Sequence, residues 1–160
     1  MPSEAKKDFN AMLADSRGMP RIQAVTDPKT AARYGGTQML LAPPRAYDEV
    51  MKRIPEGKLL TLPELREYLA RVHGADFTDP MTAGIFVQIA AWASEQREGS
   101  PTPWWRVLKA GGELNPKFPG GAEAQKAKLE AEGHTVLQKG RTALKYYVTD
   151  YESCLFTPTV

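Results

Sequence analysis

The stretch Asp79-Pro80 followed by MTAGIFVQIAAWASEQ (Met81 to Gln96) constrains this chain more than any other. Asp79 offers a side-chain cap and Pro80 suits the first helical position, so a helix begins here. Apolar residues then cover nearly every face until Ser94. A helix of that kind is buried on most sides, which predicts a central helix with the other elements packed round it. The apolar run from Ala83 to Ala93 is too short to span a bilayer and contains Gln88.

The segments around it read as follows. Residues 1–19 are polar and of mixed charge, expected as a mobile end or a short helix. Asp27-Pro28 opens a short helix that Gly35-Gly36 ends. Tyr47, Val50, Met51 and Ile54 recur at helical spacing before Pro55. Lys58-Leu59-Leu60 is a short extended piece. Thr61-Leu62-Pro63-Glu64 has the form of a capping box, and its helix carries Leu65, Tyr68, Leu69 and Val72 up to Gly74. After a loop, WWRVLKAGGEL (Trp104 to Leu114) reads as a hairpin turning at Gly111-Gly112. Gly120-Gly121 opens a last helix ended by Gly133, and HTVLQKG and LKYYVTDY read as a second hairpin. The fold class expected is α+β, mostly helical: a winged helix-turn-helix core with an N-terminal extension and an extra C-terminal β-hairpin. Residues 1–45 are the extension, partly mobile; 46–133 are the winged-helix domain; 134–160 are the hairpin packed on it.

Bulk properties add limits. The chain has 160 residues, 42% hydrophobic and 25% charged, enough to bury a core without staples. A net charge of +2 neither demands nor excludes nucleic acid. Cys154 is the only cysteine, which rules out an internal disulfide and suits a reducing compartment. The stretch MPSEAKKDFN lacks a hydrophobic signal core, and the expected location is cytoplasmic. His73 and His134 lack metal-ligand spacing, so neither metal nor cofactor is expected.

Two of the three tryptophans stand side by side in Pro103-Trp104-Trp105-Arg106-Val107. Taken with Ile54-Pro55-Glu56-Gly57-Lys58 and the capped helix before it, and Gly120-Gly121-Ala122 and Leu129-Glu130-Ala131-Glu132-Gly133 behind it, this ordered set resembles the DNA-binding domain of the O6-alkylguanine-DNA alkyltransferases. The resemblance is closer to their non-enzymatic relatives, the alkyltransferase-like proteins, and spans roughly Tyr47 to Gly133. The repair enzymes have Pro-Cys-His-Arg-Val, with a thiolate activated through the His and a Glu behind it. By resemblance, Trp104 stands at the Cys position, Trp105 at the His position and Glu132 at the relay Glu. This implies a protein that binds alkylated bases without repairing them. The base-turning Tyr of the enzymes corresponds to Leu62, and the gap-filling Arg to Gly84 or a near neighbour; Arg is absent from Met81 to Gln96.

The resemblance implies a base pocket of Trp104, Trp105, Arg106 and Glu132. It implies DNA contacts from Thr61, Leu62, Thr82, Gln88, Lys109, Lys117 and Gly121, the last through free backbone donors at a helix start. Each has a plainer reading beside it. Both Trp are core or hinge packing under the wing, against one of them walling a pocket; Arg106 braces Glu132 or a carbonyl; and the lysines, interleaved with Glu123, Glu130 and Glu132, form a solvated surface. The function expected is non-enzymatic recognition of modified or extruded bases in a DNA-repair context. The partner is DNA, an alkylated duplex among the candidates, with a repair or other protein as a further partner; the expected state is a monomer. The alternative is a winged-helix module that has lost DNA and serves protein or small-ligand interaction. An enzyme with altered chemistry ranks last, since the Trp pair offers neither nucleophile nor base.

Overall fold

The structure, a computed structural model, describes residues 7–159. In chain order its elements are α1 (Phe9–Ala14), β1 (Arg21–Ala24), α2 (Pro28–Tyr34), β2 (Gln38–Leu41), α3 (Pro44–Lys52), β3 (Leu60–Thr61), α4 (Leu62–His73), β4 (Phe77–Thr78), α5 (Pro80–Gln96), β5 (Val107–Leu108), α6 (Gly121–Ala131), β6 (Val136–Lys139) and β7 (Lys145–Val148). One-turn 3-10 helices fall at Trp104–Arg106, Ala110–Gly112 and Tyr151–Cys154. The expectation of a mobile end falls partly on residues 1–6, outside the described residues.

The apolar helix is central, as its composition requires. The Asp79 carboxylate caps α5, accepting from the backbone of Met81 and Thr82 and from the Thr82 hydroxyl at 2.8 Å. Ala83, Phe86, Val87, Ile89, Ala90, Ala91 and Ala93 are buried. The alanines leave a low surface, and α1, α3 and α4 pack against it. Phe9 of α1 stacks on Trp92 with ring centroids 5.8 Å apart. Its backbone amide donates to Gln96 at 2.9 Å. So α1 is docked by a side chain that the polar composition of residues 1–19 does not announce. Tyr47, Val50, Met51 and Ile54 are all buried, the face their spacing marks out.

The strands form three small sheets. In the first, β2 pairs antiparallel with β1 and parallel with β4. In the second, β3 pairs parallel with β5, Leu60 opposite Val107; the third is the antiparallel pair β6–β7. Two expectations change. β1 and β2 are strands where the sequence showed no signal, since every side chain of β1 is exposed and no alternation results. The stretch around Gly111-Gly112 is a tight turn but its arms are not a hairpin. Lys109 N donates to the Glu113 carbonyl at 2.8 Å, yet β5 takes β3 as partner and Glu113 bridges to Tyr147 of β7. A local alternating pattern marks strands without saying which strand each will meet.

The helix pair α4–α5, joined from Gly74 to Asp79, carries the main core; a second cluster lies under the wing. Leu59, Leu108, Leu114, Leu129, Val136 and Val148 make that cluster, so the C-terminal hairpin shares its apolar interior with α6. Past the hairpin, Leu59 N donates to the Cys154 carbonyl at 2.9 Å and Phe156 N to the Leu59 carbonyl at 2.7 Å, adding a bridge beside β3.

Candidate nucleic-acid interface

The loop after α5 delivers the two tryptophans and is held by a buried polar chain. Thr102 is fully buried. Its hydroxyl donates to Asp48 at 2.6 Å and accepts from Arg97 at 2.8 Å, while its amide donates to the Ser94 hydroxyl at 2.9 Å. α3, α5 and the loop are thus tied at one residue immediately before Pro103. Behind the tryptophans, Gln125 of α6 is also buried. Its amide nitrogen donates to the carbonyls of Trp105 and Val107 at 3.1 and 3.0 Å, and its oxygen accepts from Asn115 N at 2.7 Å. One side chain therefore fixes both the 3-10 turn and the segment leading to Lys117.

The two indoles differ. Trp104 is 1% exposed and meets Phe118 and Trp105 edge to face, each with centroids 5.6 Å apart. It is part of the main core. Trp105 is half-buried and has two cations against its ring: the Lys128 ammonium is 4.7 Å from the ring centroid and the Arg106 guanidinium carbon 5.3 Å. Its indole N–H donates to Glu132 at 2.9 Å. Arg106 spans the site: Nε and Nη2 donate to Glu132 at 2.9 and 2.7 Å, and Nη1 donates to the Ile54 carbonyl at 2.7 Å. Gly57 N completes the set around the carboxylate. Burial by itself would raise the Glu132 carboxyl. The hydrogen bonds from Arg106, Trp105 and Gly57, with the Arg106 charge, outweigh it and hold the group below its usual range. His134, one residue past Gly133, is held below its usual value by burial, partly offset by Glu132.

The four pocket residues named from the resemblance are therefore adjacent, but Arg106 and Glu132 spend their polar atoms on each other, on the Trp105 indole and on the backbone. The proposed DNA contacts scatter more. Thr61 is buried, its hydroxyl bonded to Glu64 at 2.5 Å, so it is a helix cap facing inward. The Gly121 amide donates to the Phe118 carbonyl at 2.9 Å and is not free for a phosphate. The Thr82 hydroxyl belongs to the Asp79 cap. Leu62 is half-buried against the main core. Lys109 shares Glu113 with Lys145, at 3.7 and 3.8 Å. Gln88 and Lys117 do come together. Both line a cavity of about 380 Å³ on the outer side of α5, with Ile85, Ile89 and Trp92 from the helix and Lys7, Phe9 and Met12 from the N-terminal segment. Neither Trp104 nor Trp105 borders it. The sequence reading missed Trp92, whose N–H holds the Lys117 carbonyl at 3.0 Å. It also missed Gln125, whose one signal was a lone amide at the inward position one turn before Leu129.

The remaining candidates give no chemistry. Cys154 sits half-buried at the edge of the wing cluster. Among the described residues no three His, Cys, Asp or Glu side chains converge as for a metal, and no helix is long and apolar enough to cross a membrane.

No protein-family model matches the chain. It is 33% identical over 98 residues to a DNA base-flipping protein of Vibrio parahaemolyticus serotype O3:K6 (strain AQ3810), covering 61% of this chain and 86% of that one. Two solved structures are similar at TM-scores of 0.48 and 0.49, each over 71% of this chain. The first is S. pombe Atl1 with damaged DNA containing O6-carboxymethylguanine, at 22% identity over 92% of that chain. The second is S. pombe ATL in complex with DNA, at 25% identity over 93%. On the identity and coverage shared with the Vibrio protein, this chain belongs to the alkyltransferase-like family.

Proposed function

We propose that the protein is a non-enzymatic DNA-binding protein that holds duplex DNA around an extruded or modified base, in a repair context. The observation that carries this reading is the 33% identity extending over 86% of a DNA base-flipping protein. The Trp pair supports it, since an indole at the thiol position has no lone pair on a nucleophilic atom to take an alkyl group. In this reading Trp105 supplies the base-facing ring, Trp104 is the rigid wall behind it, and the Arg106–Glu132 pair fixes the edge of the Trp105 indole. Lys117 and Lys128, both exposed, serve phosphates; Lys109 contributes once it leaves Glu113.

The test is a titration of labelled duplexes with and without an O6-alkylguanine, at two salt concentrations. Binding should weaken steeply as salt rises from about 50 to about 200 mM, because each phosphate contact releases counterions. The enclosure of Trp104 and the saturation of Arg106 favour the second reading, a scaffold that has given up DNA for a protein or small ligand. Absence of binding at low salt would decide for it.

A further inference from the structure

We propose that the ring of Trp105 is a cation seat, held in the free protein by the Lys128 ammonium, and that the base it selects is one made cationic by alkylation at a ring nitrogen. The inference rests on the DNA-binding reading above and deepens it, because that reading leaves the chemistry of the modified base open. The Lys128 ammonium stands 4.7 Å from the Trp105 ring centroid, the shortest cation–ring approach among the described residues. Helical spacing would offer Lys128 the carboxylate of Glu132, four residues on. Glu132 instead accepts from Arg106, Trp105 and Gly57. Among the described residues Lys128 makes no ion pair. Its charge is answered by the indole.

The ring is built to attract positive charge. A cation is drawn to the negative face of an aromatic system, most strongly on Trp. The Trp105 N–H donates to the Glu132 carboxylate at 2.9 Å, which pushes electron density into the ring and deepens that negative face. The other cation at the ring does not compete for the seat. Arg106 is bound to Glu132 at 2.9 and 2.7 Å and to the Ile54 carbonyl at 2.7 Å, so its charge is matched and its place is fixed. Lys128 is exposed and Trp105 half-buried. The ammonium is therefore free to swing to a phosphate, and the ring it leaves is reached from solvent. A neutral base arriving there forfeits the attraction that Lys128 gives up; a cationic base replaces it. Alkylation at a ring nitrogen, as in N7-methylguanine, leaves the base positive, whereas alkylation at O6 leaves it neutral. Trp104 offers no second seat, being 1% exposed.

The experiment uses the full chain and two duplexes that differ only at the target base: N7-methylguanine and its uncharged isostere 7-deaza-7-methylguanine. A 2′-fluoro sugar keeps the methylated nucleotide from depurinating. Mildly acid buffer keeps it charged, and Glu132, held below its usual range, stays ionised there. Competition titration should show the cationic duplex bound about tenfold tighter, the gain from a cation held over a ring away from bulk water. Trp105→Leu should bring that ratio to about one, and Trp105→Phe, which keeps a ring with a weaker negative face, should fall between. Lys128→Gln, at an exposed position, should raise the ratio, because repulsion between the resident and the incoming charge is gone. It should also lower the salt slope by about one for both duplexes, as a phosphate contact is lost. Thermal melts verify that each variant is folded. Equal affinity for the two duplexes, or a ratio that survives Trp105→Leu, overturns the cation seat and leaves DNA binding standing. Tighter binding of an O6-methylguanine duplex than of the N7-methylguanine duplex overturns it too. Should no duplex bind even at low salt, the DNA reading falls and the seat with it.

Discussion

Arg106→Ala tests whether the ion pair behind the tryptophans is structural. The change removes two donors to Glu132 and one to the Ile54 carbonyl. The carboxylate is left with Trp105 and Gly57 alone. The two side chains are 13% and 10% exposed, so little solvent reaches the orphaned charge. Removing one partner of a buried pair costs about 3–5 kcal/mol. The lower end fits a site with some access to water. At roughly 2–4 °C per kcal/mol for a chain of this size, the melting temperature at pH 7 should fall by about 10 °C. Glu132→Gln keeps the shape and should cost less. The pH dependence provides the sharper check. The Glu132 carboxyl is lowered in the fold. Its contribution is therefore complete above the carboxyl's ordinary value and is lost as pH falls through the lowered one. Wild type and Glu132→Gln should differ at pH 7 and converge in acid. A gap between them that does not change with pH, or an Arg106→Ala protein that melts with the wild type, would refute this account of the pair.

Three further outcomes follow from the same geometry. Lys117→Gln should weaken binding to all duplexes alike and reduce the salt slope by about one, read from titrations at several salt concentrations. Thr102→Val takes the hydroxyl donor from Asp48, leaving it the Lys52 ion pair at 3.6 Å, and breaks the bond from Arg97 at a fully buried position. It should cost about 2 kcal/mol in chemical denaturation, and an unaffected midpoint would remove the claim that Thr102 ties the loop to α3. His134 is lowered by burial, so the fold prefers its neutral form. Stability gained above the group's ordinary value should drain as pH falls below it, and His134→Gln should flatten that part of the pH–stability curve while leaving the Glu132 limb.

The helices were legible and most pairings were not, for physical reasons. Asp27-Pro28, Thr61 to Glu64 and Asp79-Pro80 act within a few residues of themselves, so caps seen in the sequence are caps in the structure. The pairing of β3 with β5 joins residues that sequence separates widely, and no local pattern encodes it. β1 and β2 escaped notice because one is wholly exposed and the other turns inward only at Leu40 and Leu41. At the site, the residues named from the resemblance lie together, Trp105 against Trp104, Arg106 and Glu132. What they could not show was saturation: whether Arg106 serves a ligand or a neighbour depends on where Ile54 and Gly57 lie. Likewise the spacing of α5 announced burial, but only packing decides which positions stay open. Met81 and Ile85 stay exposed on a helix whose other large apolar residues are mostly buried.

The adjacent tryptophans allow stability and recognition to be separated by single substitutions. Trp104 is enclosed by Phe118 and Trp105, and truncating it to Ala should cost about 3–5 kcal/mol, the range for a buried large aromatic. Its effect on DNA binding should then track the fraction folded. Trp105 is half-buried, and its polar edge is held by Glu132 rather than by the core. Trp105→Ala should leave a folded protein with a smaller loss of stability. Base stacking on an aromatic ring is worth about 1–3 kcal/mol, so preference for a duplex with an O6-alkylguanine over its undamaged counterpart should fall by about tenfold or more. Competition titrations alongside thermal melts read both quantities in the same samples. If Trp105→Ala kept full lesion preference while a well-folded Trp104→Ala protein lost it, the roles would have to be exchanged, and Trp104 would have to leave its enclosure when DNA binds.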